Sequence, residues 1–428
     1  IEKIPSPLNP HQFDYSKYMK SLGIYHQINI SNMKILNKSE GQATLRGQAN
    51  KLRSFLISKL KQNNLSENEL AIVQALVLGE KRDISKILYD DYAAAGAIHI
   101  LAVSGLHIGI IYMILLYIFN PIKRLFKSEK GVNILIIIML WGFAFLTGLS
   151  PSVIRAVTMF SFFAFAKIIN RDTNAVNTLF LSYFTLLIIN PNWLFHVGFQ
   201  LSYLAVFFIL WLVPIWNKFY YPKHLILKKF WGIITVTLAA QIGIIPLSLF
   251  YFHQFPGLFI LTNLIVLPVI GLILCLGILL IFLSSFNALP DWFAFSYNYL
   301  IKLLNSIIVW IAGQDIFLFQ DISFSFNQVI FSYLILITIV TYRKLKKHKI
   351  VLLTVLSLSI LCYTNLLIKD YHSANELIIF HKTRHSLIGN KKGQKLEIFK
   401  YDSLKELGNN YPIKGYRIYY DINNYSEK

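Results

Sequence analysis

The sequence predicts an α-helical polytopic membrane protein with about 8–10 transmembrane helices, amphipathic membrane-surface helices before the first span and a short external tail containing β-strands. Two observations support this fold class. The 428 residues are 55% hydrophobic and only 14% charged, with a mean hydropathy of +0.52, whereas a soluble domain usually carries about 25% charged residues. The apolar residues also form long runs, and about 20 residues suffice to cross a bilayer.

The region before the first span combines strand patterns with an amphipathic helix. Residues 25–36 and 42–46 contain short alternating stretches, which are typical of strands. Residues 48–62 place apolar side chains on one helical face and basic side chains around it, as in a helix lying on a membrane surface. The apolar face consists of Leu52, Phe55, Leu56 and Leu60.

Two shorter helices complete this region. Ser66 is followed three residues later by Glu69, which is the spacing of a capping box, and Gly79 ends the helix that this pattern opens. Asp83 or Ser85 begins the next helix.

About ten apolar spans follow, and the charges of their loops indicate their orientation. The spans lie near residues 93–119, 132–149, 152–169, 175–189, 194–216, 231–252, 257–284, 295–318, 327–342 and 349–368. If the first span ends in the cytoplasm, the basic clusters fall on the cytoplasmic side, as the positive-inside rule requires. These clusters lie in loops 120–131, 170–174, 217–230 and 343–348. The net charge of +20 thus indicates topology rather than a nucleic-acid site.

The opposite loops, near residues 150, 191, 254 and 320, contain no Lys or Arg. This alternation places the N-terminal region and the C-terminal tail outside the cytoplasm. Loop 285–294 has no basic residue, so the span count is least constrained near it.

The tail after Lys369 is polar enough to be soluble. Residues 376–381 and 396–401 have strand patterns, and Lys391-Lys392-Gly393 is typical of a turn. At about 60 residues the tail is small for an independent core.

No metal or cofactor is expected. Cys275 and Cys362 lie in apolar runs, which is more typical of core residues than of a disulfide, and no Cys/His cluster has zinc-site spacing. The chain begins at Ile1 without a signal-peptide pattern, and we expect that an upstream part of a longer protein is missing.

The run from His99 to His107, His-Ile-Leu-Ala-Val-Ser-Gly-Leu-His, is the most informative motif. It places two histidines, Ser104 and Gly105 inside an apolar segment, where polar groups usually line a path or a site. Gly also weakens a helix by about 1 kcal/mol relative to Ala. A broken, polar-lined span predicts that something polar crosses here.

Alternatives remain for this motif. Each histidine would otherwise cap a carbonyl within the bundle, and Ser104-Gly105 would be a helix break alone. Ser104 with His107 or His99 would suit an intramembrane hydrolase, although no nearby Asp or Glu would orient the base.

Four further polar residues lie within or at the ends of spans. Arg155 follows Ser150-Pro151 by one turn, where it would either extend to the outer surface or contact phosphate. Gln200 and Ser202 interrupt an apolar run, although polar residues there also hold helices together. Asn263 lies in a span that Pro256-Gly257 and Pro268 are expected to interrupt, and paired broken helices are typical of transport sites. The sequence has no phosphate-cradling glycine-rich loop, so a partner must supply any ATP-driven work.

Taken in order, these motifs resemble the ComEC competence family, the inner-membrane channels that take up single-stranded DNA. The resemblance covers about residues 9–280. The motifs are Asn9-Pro10 to Tyr15, Leu78-Gly79-Glu80, His99 to His107, Gly148 to Ala156, Arg171-Asp172 to Asn177, Asn190-Pro191 to Ser202, and Asn263 to Pro268.

The resemblance implies a domain order. Residues 1–47 would be the end of an external OB-like domain, 48–92 the surface helices, 93–368 the transmembrane channel domain and 369–428 the external tail. The metallo-β-lactamase-like domain of many members would be absent, because no H-x-H-x-D-H motif occurs. The chain would therefore be a channel and not an enzyme.

The function that follows is uptake of single-stranded DNA through the cell inner membrane during natural transformation. The predicted DNA path comprises His99, Ser104, Gly105, His107, Arg155, Gln200, Ser202 and Asn263. The implied partners are single-stranded DNA, membrane lipid, an external DNA receptor, a cytosolic helicase-like ATPase and single-strand-binding proteins, with a homo-oligomer as a further candidate. The main alternative is a secondary transporter of a small anionic solute, which predicts an inverted repeat that the sequence does not show.

Overall fold

The computed structural model describes residues 1–28, 44–63, 65–121, 129–345, 348–372, 374–382, 385–399, 411–422 and 424–427. The helices are α1 Tyr15–Ser21, α2 Leu45–Lys61, α3 Glu67–Val73, α4 Lys86–Ala94, α5 Gly105–Phe119, α6 Glu129–Leu146, α7 Pro151–Ile168, α8 Ala175–Ile189, α9 Val197–Phe219, α10 Leu225–Phe252, α11 Phe259–Ser285, α12 Asp291–Ala312, α13 Phe326–Leu345, α14 His348–His372 and α15 Tyr411–Tyr419. The strands are β1 Glu2–Lys3, β2 His26–Gln27, β3 Phe255–Pro256, β4 Leu318–Phe319, β5 Glu376–Lys382, β6 His385–Lys392, β7 Lys395–Phe399 and β8 Asn424–Glu427. A π-helical turn spans Gln74–Leu78, and 3-10 turns span Pro191–Phe195 and Asp315–Phe317.

The predicted fold class is confirmed. Five helices in the described part of the chain, α7 and α9 to α12, are long and apolar enough to cross a membrane, and five more apolar helices are shorter. Each of them corresponds to one predicted apolar run. The protein is therefore a multi-pass helical membrane protein with a small sheet near its C-terminus.

The chain folds as two compact units, which we call the bundle unit and the terminal unit. The bundle unit comprises residues 37–243 and 256–318, and the terminal unit comprises residues 1–36, 244–255 and 319–428. The domain boundaries expected from the sequence remain predictions.

In the bundle unit, the helices before the first span contribute to a buried core. Leu56 and Leu60 of α2 are buried in a core that also contains residues of α11 and α12, while Leu52 and Phe55 of the same predicted face are 51% and 47% exposed. The face that was expected to lie on a membrane is thus partly used for packing. The predicted strand over 42–46 is wrong where it is described, because Leu45 begins α2; residues 29–43 lie outside the described part.

The capping box predicted at Ser66 is also wrong, although Ser66 does precede α3. Its side chain makes no capping bond, and Glu69 is buried, where the Asn305 side-chain amide donates to its Oε1 at 3.4 Å. Asn305 in turn accepts a hydrogen bond from the buried Tyr92 hydroxyl at 2.9 Å. Glu69 thus bonds to Asn305 of α12 instead of to the backbone at Ser66. Gly79, with φ of +71°, ends the π-helical turn as predicted.

The two cysteines are free, as expected, but the prediction that they are core residues is wrong. Cys275 on α11 and Cys362 on α14 are both exposed. In a membrane helix an apolar position faces lipid as readily as protein, so hydrophobicity alone does not locate the core.

The terminal unit contains the C-terminal sheet, in the order β5-β6-β7-β8. The first two pairings are antiparallel and β7 pairs with β8 in parallel. The strands predicted at 376–381 and 396–401 are confirmed as far as Phe399. The predicted turn is confirmed only at Gly393, which takes the left-handed conformation, because Lys391 and Lys392 belong to β6. The sequence interpretation did not include α15, which covers the sheet and adds Ile413 and Tyr416 to its core. That core makes the short tail a folded element.

Candidate functional site

The predicted break at Ser104-Gly105 is the point where α5 begins, after a stretch of turns that follows α4. The Ser104 backbone N–H donates to Nδ1 of His107 at 3.3 Å, and Ser104 Oγ lies 2.9 Å from the same nitrogen. His107 thus occupies the third helical position and reaches back to the cap, as Glu or Gln does in a capping box. The motif builds a helix N-terminus rather than a gap within a helix.

The two histidines differ in their surroundings. His107 is 1% exposed. Because its Nδ1 accepts a backbone N–H, the ring proton lies on Nε2, a buried donor with no hydrogen-bond partner in the described part of the chain. His99 is exposed, and its Nδ1 lies 3.1 Å from the Gly96 carbonyl oxygen. This contact agrees with the alternative in which the histidine caps a carbonyl within the bundle.

Arg155 lies over the beginning of α5. It is one turn inside α7, after Ser150 and Pro151, and it is 5% exposed. Its Nη2 is 2.6 Å from the position that a Cβ atom would take at Gly105. Gly105 therefore gives the guanidinium room to approach the backbone of α5. Burial of this kind does not support the alternative in which Arg155 extends to the outer surface.

The charge of Arg155 has no carboxylate partner among the described residues. Its guanidinium carbon is 5.7 Å from the centre of the Tyr203 ring, and Nη1 lies 3.8 Å from the Met159 sulfur. Its Nε has no hydrogen-bond partner within the described residues. A buried charge is costly unless it is paired, and a ring face compensates only in part. This environment suits an anion as the missing partner.

Tyr203 is the residue that the structure adds to the site. Tyr203 follows Ser202 in the apolar run of α9 and was not part of the predicted DNA path. Its hydroxyl lies 3.0 Å from Ser182 Oγ, and Ser182 donates to the Leu179 carbonyl at 2.7 Å. These bonds fix the ring on which Arg155 rests. No periodicity in the sequence indicated this pairing between α8 and α9.

The other predicted residues lie outside the first turn of α5, with Gln200 and Ser202 on α9 and Asn263 on α11. The Gln200 side-chain amide donates to the Leu194 carbonyl at 2.7 Å, beside the start of α9. Ser202 is half-buried. Asn263 is 9% exposed, and its Oδ1 has no partner in the described ranges. The interruption predicted around Asn263 is wrong, because α11 is continuous and contains Pro268.

Two motifs from different parts of the sequence meet at the C-terminal end of α6. Arg53 Nε donates to the Leu146 carbonyl at 2.6 Å, and its Nη1 lies 3.8 Å from Glu80. A Cβ atom at Gly79 would lie 2.7 Å from the Thr147 carbonyl oxygen, and one at Gly148 would lie 3.1 Å from Arg53 Nη2. At both glycines the chain packs too closely for a side chain. The contacts between these segments hold the turn that leads from α6 into α7, on which Arg155 lies.

Fold and site together define a multi-pass helical membrane protein whose bundle holds a buried guanidinium with no carboxylate partner among the described residues. The family model described as Competence protein matches residues 76–346. The chain belongs to this family, which confirms the resemblance seen in the motif order.

Three curated relatives extend the comparison. ComE operon protein 3 of Bacillus subtilis is 30% identical over 315 residues, which are 72% of this chain and 38% of the relative. An uncharacterized protein of Aquifex aeolicus is 30% identical over 202 residues, 46% of this chain and 44% of the relative. Recombination protein 2 of Haemophilus influenzae is 25% identical over 240 residues, 52% of this chain and 29% of the relative. The chain thus spans less than half the length of each, and no solved structure matches it significantly.

Proposed function

We propose that this chain forms the path by which single-stranded DNA crosses the cell inner membrane during natural transformation. Membership of the Competence protein family supports this proposal. The observation that carries it is the buried guanidinium of Arg155, which has no carboxylate partner in the described part of the chain.

A phosphate group suits this site for two reasons. The guanidinium presents a planar set of donors that matches two phosphate oxygens, and contacts of this kind are among the strongest hydrogen bonds in proteins. The neutral His107 adds a second buried donor at its Nε2, on the helix that Arg155 approaches. In this proposal each phosphate binds briefly and is then replaced by the next phosphate along the strand.

The remaining residues have supporting roles in this proposal. Ser104 and His107 hold the first turn of α5, Gly105 makes room for Arg155, and Tyr203 orients it. His99, Gln200, Ser202 and Asn263 are proposed to line the rest of the path.

The proposal includes the surroundings of the chain. The protein acts as a channel and not as an enzyme, with its N-terminal region and tail outside the cytoplasm. An external receptor delivers the DNA, a helicase-like ATPase in the cytosol drives it, and lipid surrounds the bundle. A homo-oligomer would provide a wider pore.

One experiment tests the central claim. Uptake of labelled DNA is measured in cells that carry the parent, Arg155→Ala or Arg155→Lys, with the exposed Arg46→Ala as the matched control. A hydrogen bond to a charged group contributes about 1.5–3 kcal/mol, so Arg155→Ala should lower uptake by about ten-fold or more. Lys keeps the positive charge but lacks the two parallel donors of the guanidinium, so Arg155→Lys should retain part of the uptake. Normal uptake by Arg155→Ala, at parental protein levels, refutes the proposal.

A transporter of a small anionic solute is the second candidate, because a buried guanidinium suits any anion. The two functions differ in the size of the molecule that is transported: a small anion in one case and a DNA strand in the other. In vesicles containing the purified chain, inorganic phosphate and a thymidine oligomer are offered separately. Arg155-dependent entry of phosphate without any oligomer entry would favour the transporter.

A further inference from the structure

The terminal unit contains a cavity of about 660 Å³, within the range of about 300–1,000 Å³ that is usual for small-molecule sites. Its wall contains the aromatic side chains Phe250, Phe326 and Tyr419 and the polar side chains Gln12, His253 and Ser325. These residues come from distant parts of the sequence, so the cavity exists only in the folded unit.

The N-terminal segment forms one wall, and it is held there by specific contacts. Asn9 pairs with the backbone of His381 in both directions: its Nδ2 donates to the carbonyl at 3.0 Å, and its Oδ1 accepts from the amide at 2.7 Å. At Gly415 on α15, a Cβ atom would lie 2.6 Å from the His11 carbonyl oxygen. The segment is thus attached to an edge strand and seated closely on α15.

The same wall presents a stacked pair of rings. The His11 and Tyr419 rings lie 3.5 Å apart at an interplanar angle of 12°, and Tyr419 remains 43% exposed. Elsewhere in the wall, Phe250 and Phe326 form an edge-to-face pair at 5.9 Å. Flat, partly exposed rings in a cavity are suited to stacking on a planar ligand.

Hydrogen bonds hold the polar groups of the wall in place. His253 Nδ1 lies 3.0 Å from the Ile322 carbonyl, which orients the ring. Ser325 sits beside Gln328, whose side-chain amide donates to Asn365 at 2.6 Å. The described residues that line the cavity include no Lys, Arg, Asp or Glu. This lining offers no cation for a phosphate, whereas its amide, imidazole and hydroxyl groups, set among aromatic rings, can hydrogen-bond to the edge of a planar ring.

We propose that this cavity binds one unpaired nucleobase of a single strand, stacked on Tyr419 and hydrogen-bonded along its edge. The inference rests on the proposed function, because it assigns a base contact to the strand whose phosphates we assign to Arg155. It predicts a preference for strands with bases over a bare backbone, and for single strands over duplexes, whose bases are already stacked.

The test uses the full chain in lipid nanodiscs and two fluorescent probes of equal length and charge. One is a thymidine dodecamer, and the other is an abasic dodecamer with the same sugar-phosphate backbone. Tyr419→Leu removes the ring but keeps an apolar side chain, Tyr419→Phe keeps the ring, and Tyr363→Ala removes an exposed tyrosine of α14 as the matched control.

The parent should bind the thymidine probe more tightly than the abasic probe. Loss of one stacked base corresponds to about 5- to 150-fold in affinity, so Tyr419→Leu should weaken thymidine binding by this factor and leave abasic binding unchanged. Tyr419→Phe and Tyr363→Ala should bind both probes as the parent does.

Two outcomes overturn the inference. Equal binding of the two probes by the parent does so, as does parental thymidine binding by a folded Tyr419→Leu. If Arg155→Ala still abolishes uptake in either case, only the base site fails and the proposed function stands. If the parent binds neither probe and Arg155→Ala takes up DNA normally, the proposed function fails as well.

Discussion

At the residue scale, two close glycine approaches in the bundle unit, at Gly79 and Gly105, have opposite consequences. At Gly79 an added Cβ would meet the Thr147 backbone oxygen, and φ is +71°. At Gly105 it would meet Arg155 Nη2, the end of a flexible side chain. A backbone atom cannot give way cheaply, whereas a guanidinium can move. Gly79 is therefore required by the fold, and Gly105 by the position of one charge.

The first prediction follows from Gly105. Gly105→Ala should leave the thermal stability of the purified protein within about 1 kcal/mol of the parent, since helix propensity even favours Ala. It should nevertheless lower DNA uptake in the same direction as Arg155→Ala, because it displaces the guanidinium. The double variant should be no worse than Arg155→Ala alone, since both changes remove one interaction. Additive losses would show that Gly105 acts independently of Arg155.

The second prediction contrasts Gly79. Gly79→Ala should destabilise the protein by about 1–3 kcal/mol, because it adds left-handed strain to a contact with backbone. The measurement is the melting temperature in detergent, with Gly142→Ala as the control, since nothing lies within 4 Å of a Cβ there. Equal melting temperatures for the two variants would contradict the packing argument.

The third prediction concerns Lys391 on β6, which is fully buried, with its ammonium 3.7 Å from the centre of the Tyr420 ring. Burial lowers the pKa of Lys391, although nearby Glu376 opposes the shift. The folded state then binds fewer protons than the unfolded state, so the stability of the sheet should rise with pH between the lowered pKa of Lys391 and the ordinary lysine pKa of 10.5, by at most about 1.4 kcal/mol per pH unit. At higher pH the stability should fall again, because burial raises the pKa of Tyr416 and its hydroxyl stays protonated in the folded state while it ionises in the unfolded state.

Hydrogen exchange of the intact protein measures this effect as protection factors for the tail amides, corrected for intrinsic rates. Lys391→Met should flatten the pH dependence and raise protection at pH 7. A slope that persists unchanged in Lys391→Met would assign the pH dependence to another group.

At the element scale, the first turn of α5 shows how one motif serves two needs. Ser104 caps the helix, and His107 reaches back to it from the third position. The same geometry turns Nε2 of His107 into a buried donor. His107 therefore serves both the cap, through Nδ1, and the proposed phosphate contact, through Nε2. Substitutions that keep or remove each function distinguish the two roles.

The fourth prediction uses that difference. His107→Gln keeps an acceptor for the cap and a side-chain donor, so it should retain stability and part of the uptake. His107→Leu loses the cap and should cost about 1 kcal/mol of stability together with most of the uptake. Ser104→Ala should lose a similar amount of stability but keep measurable uptake. Complete loss of activity in a stable Ser104→Ala protein would instead favour the hydrolase alternative, which needs that oxygen.

At the scale of the whole molecule, the positive-inside pattern still supplies the orientation. The structure gives the helices that the loops connect, and each predicted apolar run contains one apolar helix in the described part of the chain. Orientation depends on the parity of the span count, so one re-entrant helix among the shorter ones would invert the loops beyond it.

The fifth prediction tests this orientation in a variant without Cys275 and Cys362. A cysteine at Lys223 should be labelled only after the membrane is permeabilised, because loop 217–230 is predicted to be cytoplasmic. A cysteine at Gln320 should react with the same impermeant reagent in intact cells. Both positions are exposed, so accessibility depends on the side of the membrane. Labelling of Lys223→Cys from outside would show that the parity is wrong.

The fold class, the positions of the apolar helices, two of the four strands of the tail and the family could all be predicted from the sequence. These depend on apolar runs, on the alternation of apolar and polar residues and on glycines at helix ends and turns, which are properties of the local chain. The tertiary structure alone decided which polar residues meet. The burial of Arg155 against Gly105 and Tyr203, the contact of Asn305 with Glu69, and the continuity of α11 through Pro268 all join or stabilise segments through packing. The physical reason is that a polar group buried in a helical bundle is satisfied by whichever neighbouring helix lies beside it, and sequence spacing does not encode that neighbour.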